Sequence, residues 1–274
     1  MTISVEKPSN DAQAGGKVPL VELRDIGKSY GNITALQGIS LRVHPGEVTG
    51  ILGDNGAGKS TLIKIIAGLH QQTDGELLVD GEPIKFSSPA EALSKGIATV
   101  YQNLAVVPLM PVWRNFFLGQ ELRKKSFPWS LDANAMRATT LTELSKMGID
   151  LPDVDVPIGS LSGGQKQCVA IARAVFFGAR VLILDEPTAA LGVKQSGVVL
   201  KYITAAKEAG FGVVFITHNP HHAHLVGDHF VLLNRGSQKL DCSYDDLTLE
   251  HLTQQMAGGD ELEALSHELR GAKN

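Results

Sequence analysis

The segment Gly53-Asp54-Asn55-Gly56-Ala57-Gly58-Lys59-Ser60 satisfies the pattern GxxxxGK[ST] at every position. Residues 47–52 read as a strand leading into it. Residues 59–69 follow with helical character, closed by small residues around Gly68. Glycines let backbone N–H groups point inward with no Cβ in the way, and a helix N-terminus adds partial positive charge. That combination suits a polyphosphate. Lys59 is placed to reach the β- and γ-phosphates, and the Ser60 hydroxyl to ligate Mg²⁺.

The rest of the chain extends this α/β beginning. Residues 20–26 and 39–44 read as strands, with Pro45-Gly46 as a turn. Residues 76–79 before Asp80-Gly81 suggest a hairpin arm. A short helix over 89–95 and a strand over 97–101 follow. After Gln102 the texture changes: Pro108, Pro111 and Pro128 lie among aromatics with little period. A helix over 133–147 has Asp132 as its N-cap and Gly148 past its end. Residues 103–178 therefore predict a mostly helical insertion. Val181–Asp185 and Gly212–Thr217 are apolar on both faces, as strands buried in a parallel sheet are. A helix over 193–209 separates them, and residues 230–233 and 238–241 around Arg235-Gly236 predict a late hairpin. The expected fold is an α/β P-loop domain over residues 19–257. It has a mostly parallel core sheet, an N-terminal antiparallel β arm and the helical subdomain. Residues 1–18 read as a loose arm, and 258–274 as a tail with a short helix near 260–269.

Composition removes several function classes. With 43% hydrophobic and 20% charged residues, the chain can build a core, unlike a disordered one. Lys and Arg number 25 against 29 Asp and Glu, a net charge of −4, and aromatics are 5%. Neither bulk charge nor a stacking surface predicts a nucleic-acid partner. Cys168 and Cys242 are too few for a disulfide framework and fit a reducing compartment. No apolar window reaches transmembrane length and residues 1–18 lack a signal-type apolar core, so a cytoplasmic protein is expected.

Two further motifs carry chemistry. Val181–Asp185 ends in Asp185-Glu186, and acids at a strand's C-terminal end face the ligand crevice of open α/β sheets. Asp185 is suited to hold Mg²⁺, directly or through water. Glu186 is suited to polarise a water as general base. The same pair also reads as a solvated acidic turn before Pro187. In Leu161-Ser162-Gly163-Gly164-Gln165, Ser162 and Gln165 have capping-box spacing ahead of a helix, and the glycines keep its entrance clear for an anion. Capping physics alone does not separate an anion site from a well-capped helix.

Five motifs in order resemble the nucleotide-binding subunit of an ABC transporter: residues 53–61, Val100-Tyr101-Gln102, Leu161 to Gln165, residues 182–187 and Ile216-Thr217-His218. The resemblance covers roughly residues 20–257. It implies ATP and Mg²⁺ as cofactors, held by Gly53 to Thr61, including Asp54, Asn55, Gly56, Ala57, Gly58, Lys59 and Ser60. It implies that Tyr30 stacks on adenine. It implies that Gln102 senses Mg²⁺ and the attacking water, and that His218 touches the γ-phosphate. Ser162, Gly163, Gly164 and Gln165 would then bind the nucleotide of a second cassette, making the working unit a dimer, expected to be a homodimer. The segments GDNGAGKST, TVYQNLAVVPLMPVWRNFFLGQE and THNPHHAHLVGDHF are similar to bacterial sugar importers of the ribose, xylose and fructose type. This implies separate transmembrane permease subunits, a sugar-binding protein acting through them, and a cassette at the inner face of the membrane. The chain departs from the wider family at Gly192, where Asp is usual.

Three signals stand outside these motifs. His221, His222 and His224 cluster near His218, but Asn219-Pro220 reads as an N-cap and first helical position, so a helix start is expected over a metal site. Cys168 reads as a packed residue. The apolar stretch 104–118 reads equally as core and as a docking surface, with Val112 and Trp113 as candidate exposed anchors.

Overall fold

A computed structural model describes residues 18–256. In chain order its elements are β1 (Val21–Tyr30), β2 (Ile33–Val43), β3 (Val48–Leu52), α1 (Lys59–Ile66), β4 (Asp74–Val79), β5 (Glu82–Ile84), α2 (Pro89–Ser94), β6 (Ile97–Val100), α3 (Val112–Phe116), β7 (Arg123–Lys124), β8 (Phe127–Leu131), α4 (Ala133–Lys146), α5 (Gly163–Phe176), β9 (Val181–Asp185), α6 (Val193–Glu208), β10 (Gly212–Thr217), α7 (Pro220–Val226), β11 (His229–Asn234), β12 (Ser237–Ser243) and α8 (Leu249–Met256). The expected arm before residue 18 and the helix near 260–269 lie outside the described residues.

Ten strands form one sheet in the order β5-β4-β1-β2-β12-β11-β3-β10-β9-β6. Strands β11, β3, β10, β9 and β6 run parallel. Strands β1, β2, β4 and β5 form the antiparallel arm. Every residue of β3 and β10 is buried, which explains why their sequences are apolar without alternation. The alternation exists in space instead. Ile183, Val214 and Ile216 join the core under α1, while Leu182, Leu184, Val213 and Phe215 join the core under α5 and α6. Each such side chain contributes about 1.5–3 kcal/mol relative to exposure.

Local signals set several boundaries. Asp132 accepts from the Ala135 N–H at 3.0 Å and starts α4. Gly68, at φ +72°, ends the turn after α1, where an added Cβ would lie 2.7 Å from the Ser88 carbonyl oxygen. Strand β1 continues to Tyr30, past its expected end, its pairing with β2 resuming at Ile26 after an irregularity that contains Asp25 at φ +50°.

Residues 103–178 contain α3, α4, α5 and a two-stranded β7–β8 pair that the sequence reading does not anticipate. Trp113 and Val112 are not exposed anchors. Val112 is fully buried and Trp113 is 5% exposed. The Trp113 indole N–H donates to Asp155 Oδ1 at 2.8 Å, and the Arg137 guanidinium lies 4.8 Å from its ring centroid. Proline at 108 and 111 obscures any helical period, yet it leaves α3 free to begin right after Pro111.

Candidate functional site

The P-loop leaves the centre of the sheet from β3 and enters α1. Gly53 has φ +145°, and a Cβ there would lie 2.4 Å from the Leu233 carbonyl oxygen, so only glycine fits. Gly56, at φ +86°, has nothing within 4 Å of such a Cβ, which leaves the concave side of the loop open. Lys59, the first residue of α1, is buried. Its ammonium donates to the Gly53 carbonyl and, at 3.0 Å, to the Asp54 carbonyl. Burial holds Lys59 below the usual lysine range, against the opposing charges of Glu186, Asp54 and Asp185.

Strand β9 delivers the acids. Burial, then the charge of Glu186, pushes the Asp185 carboxyl above the usual carboxylate range, while Lys59 opposes the shift. Glu186 adopts φ +48°, a left-handed position unfavourable for a residue with a Cβ, and its N–H donates to the Ile216 carbonyl at 2.9 Å. Such a conformation costs on the order of 1–3 kcal/mol and persists where surrounding contacts enforce it. Contacts from β10 and from the chain after it surround this turn. His218 Nδ1 lies 2.9 Å from Glu186 Oε2, and His222 Nδ1 lies 3.0 Å from the hydroxyl of buried Thr188. The His222–Thr188 pair was not legible beforehand, because only the fold brings α7 against the turn after β9. His224 points elsewhere: its ring lies 4.8 Å from that of Tyr244.

The P-loop, Gln102 and the two acids share a cavity of about 530 Å³ lined by Asp54, Asn55, Gly56, Gly58, Lys59, Ser60, Thr61, Gln102, Asp185 and Glu186. Strand β2 adds Ile33, Thr34 and Ala35, which the sequence reading did not single out. Gly53 and Ala57 line a second, smaller cavity on the α8 side of the loop. The donor set fits a polyphosphate: open loop, helix N-terminus and buried ammonium. Ser60, Gln102 and Asp185 present side-chain oxygens around one space, the donor chemistry of a hard divalent cation such as Mg²⁺.

Three groups of expected site residues lie apart from this cavity: His218, which reaches Glu186 without lining the cavity, Tyr30, and the Ser162 to Gln165 entrance. Tyr30 stands at the end of β1, 42% exposed, with its ring edge-on to His70 at 5.8 Å. Ser162, Gly163, Gly164 and Gln165 begin α5, and none lines the cavity. The capping box is formed: the Ser162 N–H donates to Gln165 Oε1 at 2.9 Å, and the Gln165 N–H donates to Ser162 Oγ at 3.3 Å. A Cβ at Gly163 would meet Leu191 at 2.7 Å, so this entrance packs directly on the turn that follows Glu186. Gly192 is the N-cap of α6 and offers no side-chain cap.

Comparison with known proteins agrees with this geometry. The sequence pattern of the ABC transporter family matches residues 36–189. The chain is 42% identical to the xylose/arabinose import ATP-binding protein XylG of Sulfolobus acidocaldarius, over 86% of this chain and 93% of that protein. It is 41% identical to the fructose import ATP-binding protein FrcA of Rhizobium meliloti, over 89% of this chain and 95% of that protein. A similar solved structure is the dimeric post-hydrolysis state of the ATP-binding cassette MJ0796 bound to ADP and Pi. Its TM-score is 0.69 at 28% identity, covering 82% of this chain and 98% of that one. A P-loop, a carboxylate pair and a histidine meet at the end of a parallel sheet, and the family pattern spans more than half the chain: the chain belongs to the ABC transporter family.

Proposed function

We propose that this chain is the ATP-hydrolysing subunit of a sugar importer and works as a pair of cassettes on a separate membrane permease. One observation supports it most: Lys59, Ser60, Gln102, Asp185 and Glu186 share one cavity, while the Ser162–Gln165 entrance of the same chain lies outside it. A second copy can supply that entrance, as the dimeric relative suggests. In this reading the ATPase domain spans residues 19–257, with 103–178 as its helical subdomain.

The P-loop N–H groups of residues 53–61 and Lys59 hold the phosphates, and Tyr30 packs on the adenine. Ser60, Gln102 and Asp185 hold Mg²⁺, which when bound neutralises charge on the phosphate oxygens. Glu186 accepts a proton from the attacking water, and His218 holds that carboxylate in place. Fixed charges aimed at the developing negative charge lower the barrier, because they need no reorganisation during the reaction. The cargo follows the named relatives, which import xylose, arabinose and fructose. A sugar-binding protein acts through the permease, and the cassette sits at the inner face of the membrane.

Another cavity, of about 280 Å³, supports the permease contact. Leu93, Leu104, Val106, Gln120, Ala170 and Phe177 are among its lining residues. This groove, rather than Trp113, is the proposed seat of a permease segment.

The test is complementation in trans. A Lys59→Ala chain mixed with a Ser162→Arg chain should recover part of the ATPase activity that each lacks alone. A chain carrying both changes should stay inactive with itself. Full activity in either single variant overturns the shared site. Uptake of labelled pentoses and hexoses by cells bearing the intact system then reads the cargo.

A further inference from the structure

The β7–β8 hairpin places large apolar side chains in water. Trp129 is 81% exposed and Phe127 58% exposed, whereas Trp113, the chain's other tryptophan, is 5% exposed. The hairpin is a sheet of its own, outside the ten-stranded sheet. Charge is segregated here as well. Residues 122–131 hold Arg123, Lys124 and Lys125 and no acid, in a chain of net charge −4. Lys124 and Lys125 are both exposed, and Lys124 pairs across the hairpin with Phe127. The flanking acids, Glu121 and Asp132, lie just outside this segment. Glu121 accepts from the Gly119 N–H at 3.0 Å, and Asp132 caps α4.

Aromatic rings beside cations on one short protruding element match the chemistry of a bilayer interface. Trp is enriched at headgroup level, and Lys and Arg are drawn to anionic lipid. The remainder of this acidic chain is repelled by the same surface, so attraction orients the molecule hairpin-first. Position agrees: Gln120 lines the groove assigned above to the permease, and the hairpin starts three residues later in sequence.

We propose that the β7–β8 hairpin is a lipid-contact element, with Trp129 and Phe127 entering the interfacial zone and Lys124 and Lys125 pairing with anionic headgroups. Its placement beside the membrane rests on the permease reading; the contact itself can be tested without a permease. The hairpin gives the cassette a second foothold next to its permease. It also makes occupancy of the membrane face depend on lipid charge and ionic strength.

The experiment uses the full chain and permease-free vesicles of phosphatidylglycerol and phosphatidylcholine in equal parts, with pure phosphatidylcholine as the comparison. Because Trp113 is buried, a change in tryptophan emission on vesicle binding reports on Trp129. The expected result is co-sedimentation and a blue shift on the anionic vesicles, both weakened by salt. Trp129→Ala should abolish the shift. Lys124→Glu with Lys125→Glu should lower partitioning by about tenfold or more, since each cation near the surface is worth roughly a fivefold factor. All variants change exposed residues and should keep basal ATPase activity. Absence of binding to anionic vesicles overturns the proposal, as does equal binding to neutral ones or unchanged binding of the double lysine variant. A blue shift that appears only on adding detergent-solubilised permease assigns the hairpin to a protein partner and overturns the lipid assignment. Failure of the permease reading is seen separately, as groove variants that leave transport intact.

Discussion

The imidazole Nδ1 of His218 lies 2.9 Å from Oε2 of Glu186, joining residues 32 positions apart in sequence. The histidine after β10 thus restrains the carboxylate after β9, whose backbone is left-handed. If Glu186 is the base, Glu186→Gln should lower ATP turnover by ~10²-fold or more while ATP binding survives. Single-turnover assays and a nucleotide-binding titration check this. Near-normal turnover would remove Glu186 from the role.

Thr188 and His222 hold the other side of the same turn. Thr188→Val removes the hydroxyl and keeps the volume, leaving His222 Nδ1 without its partner. Turnover should fall by about tenfold or more, because small misplacements of a catalytic group are costly, with KM for ATP little changed. His222→Asn, which keeps a polar side chain for the Thr188 hydroxyl, should lower turnover less than Thr188→Val does. A rise in KM without a fall in kcat would show that the pair serves binding instead.

Burial of the Asp185 carboxyl costs the folded chain stability once it ionises. Its folded-state pKa is raised, so the folded chain holds the proton more tightly than the unfolded chain. The cost is absent below the ordinary carboxylate range, grows as pH rises through the folded pKa, and is fully present above it. Asp185→Asn should therefore raise Tm at neutral pH in metal-free buffer, with the gain shrinking as pH falls toward 4. It should also abolish hydrolysis. A Tm gain independent of pH would contradict the burial argument.

Gly192 is an N-cap without a capping side chain, and nothing lies within 4 Å of a Cβ built there. Gly192→Asp adds an acceptor for the first N–H groups of α6 and a negative charge at its positive end. The expected gain is ~0.3–1 kcal/mol. Thermal unfolding measures it; an unchanged or lower Tm would show that the aspartate side chain does not reach the helix.

In the groove, Val106→Glu and Leu93→Glu place a charge on an apolar wall. Basal ATPase activity of the isolated chain should persist while transport, and stimulation by the loaded binding protein, fall. Intact transport in both variants would move the permease contact elsewhere.

Local chemistry is what the sequence by itself determined. GxxxxGK[ST] needs no distant partner to be recognised, since its glycines and helix start act within eight residues. The same holds for Asp132 capping α4 and for the Ser162–Gln165 box. Strands β9 and β10 were legible to the residue because parallel strands buried on both faces must be apolar throughout. Tertiary structure decided what depends on residues meeting across the sheet. It set Val112 and Trp113 inside, with Asp155 reaching the indole N–H from 42 positions away. It turned one cluster of histidines toward separate partners, His218 to Glu186 and His222 to Thr188. It left Trp129 outside although its composition resembles that of buried Trp113. Burial belongs to the packed chain: a side chain's polarity sets what exposure costs, but only the surrounding elements decide whether water reaches it.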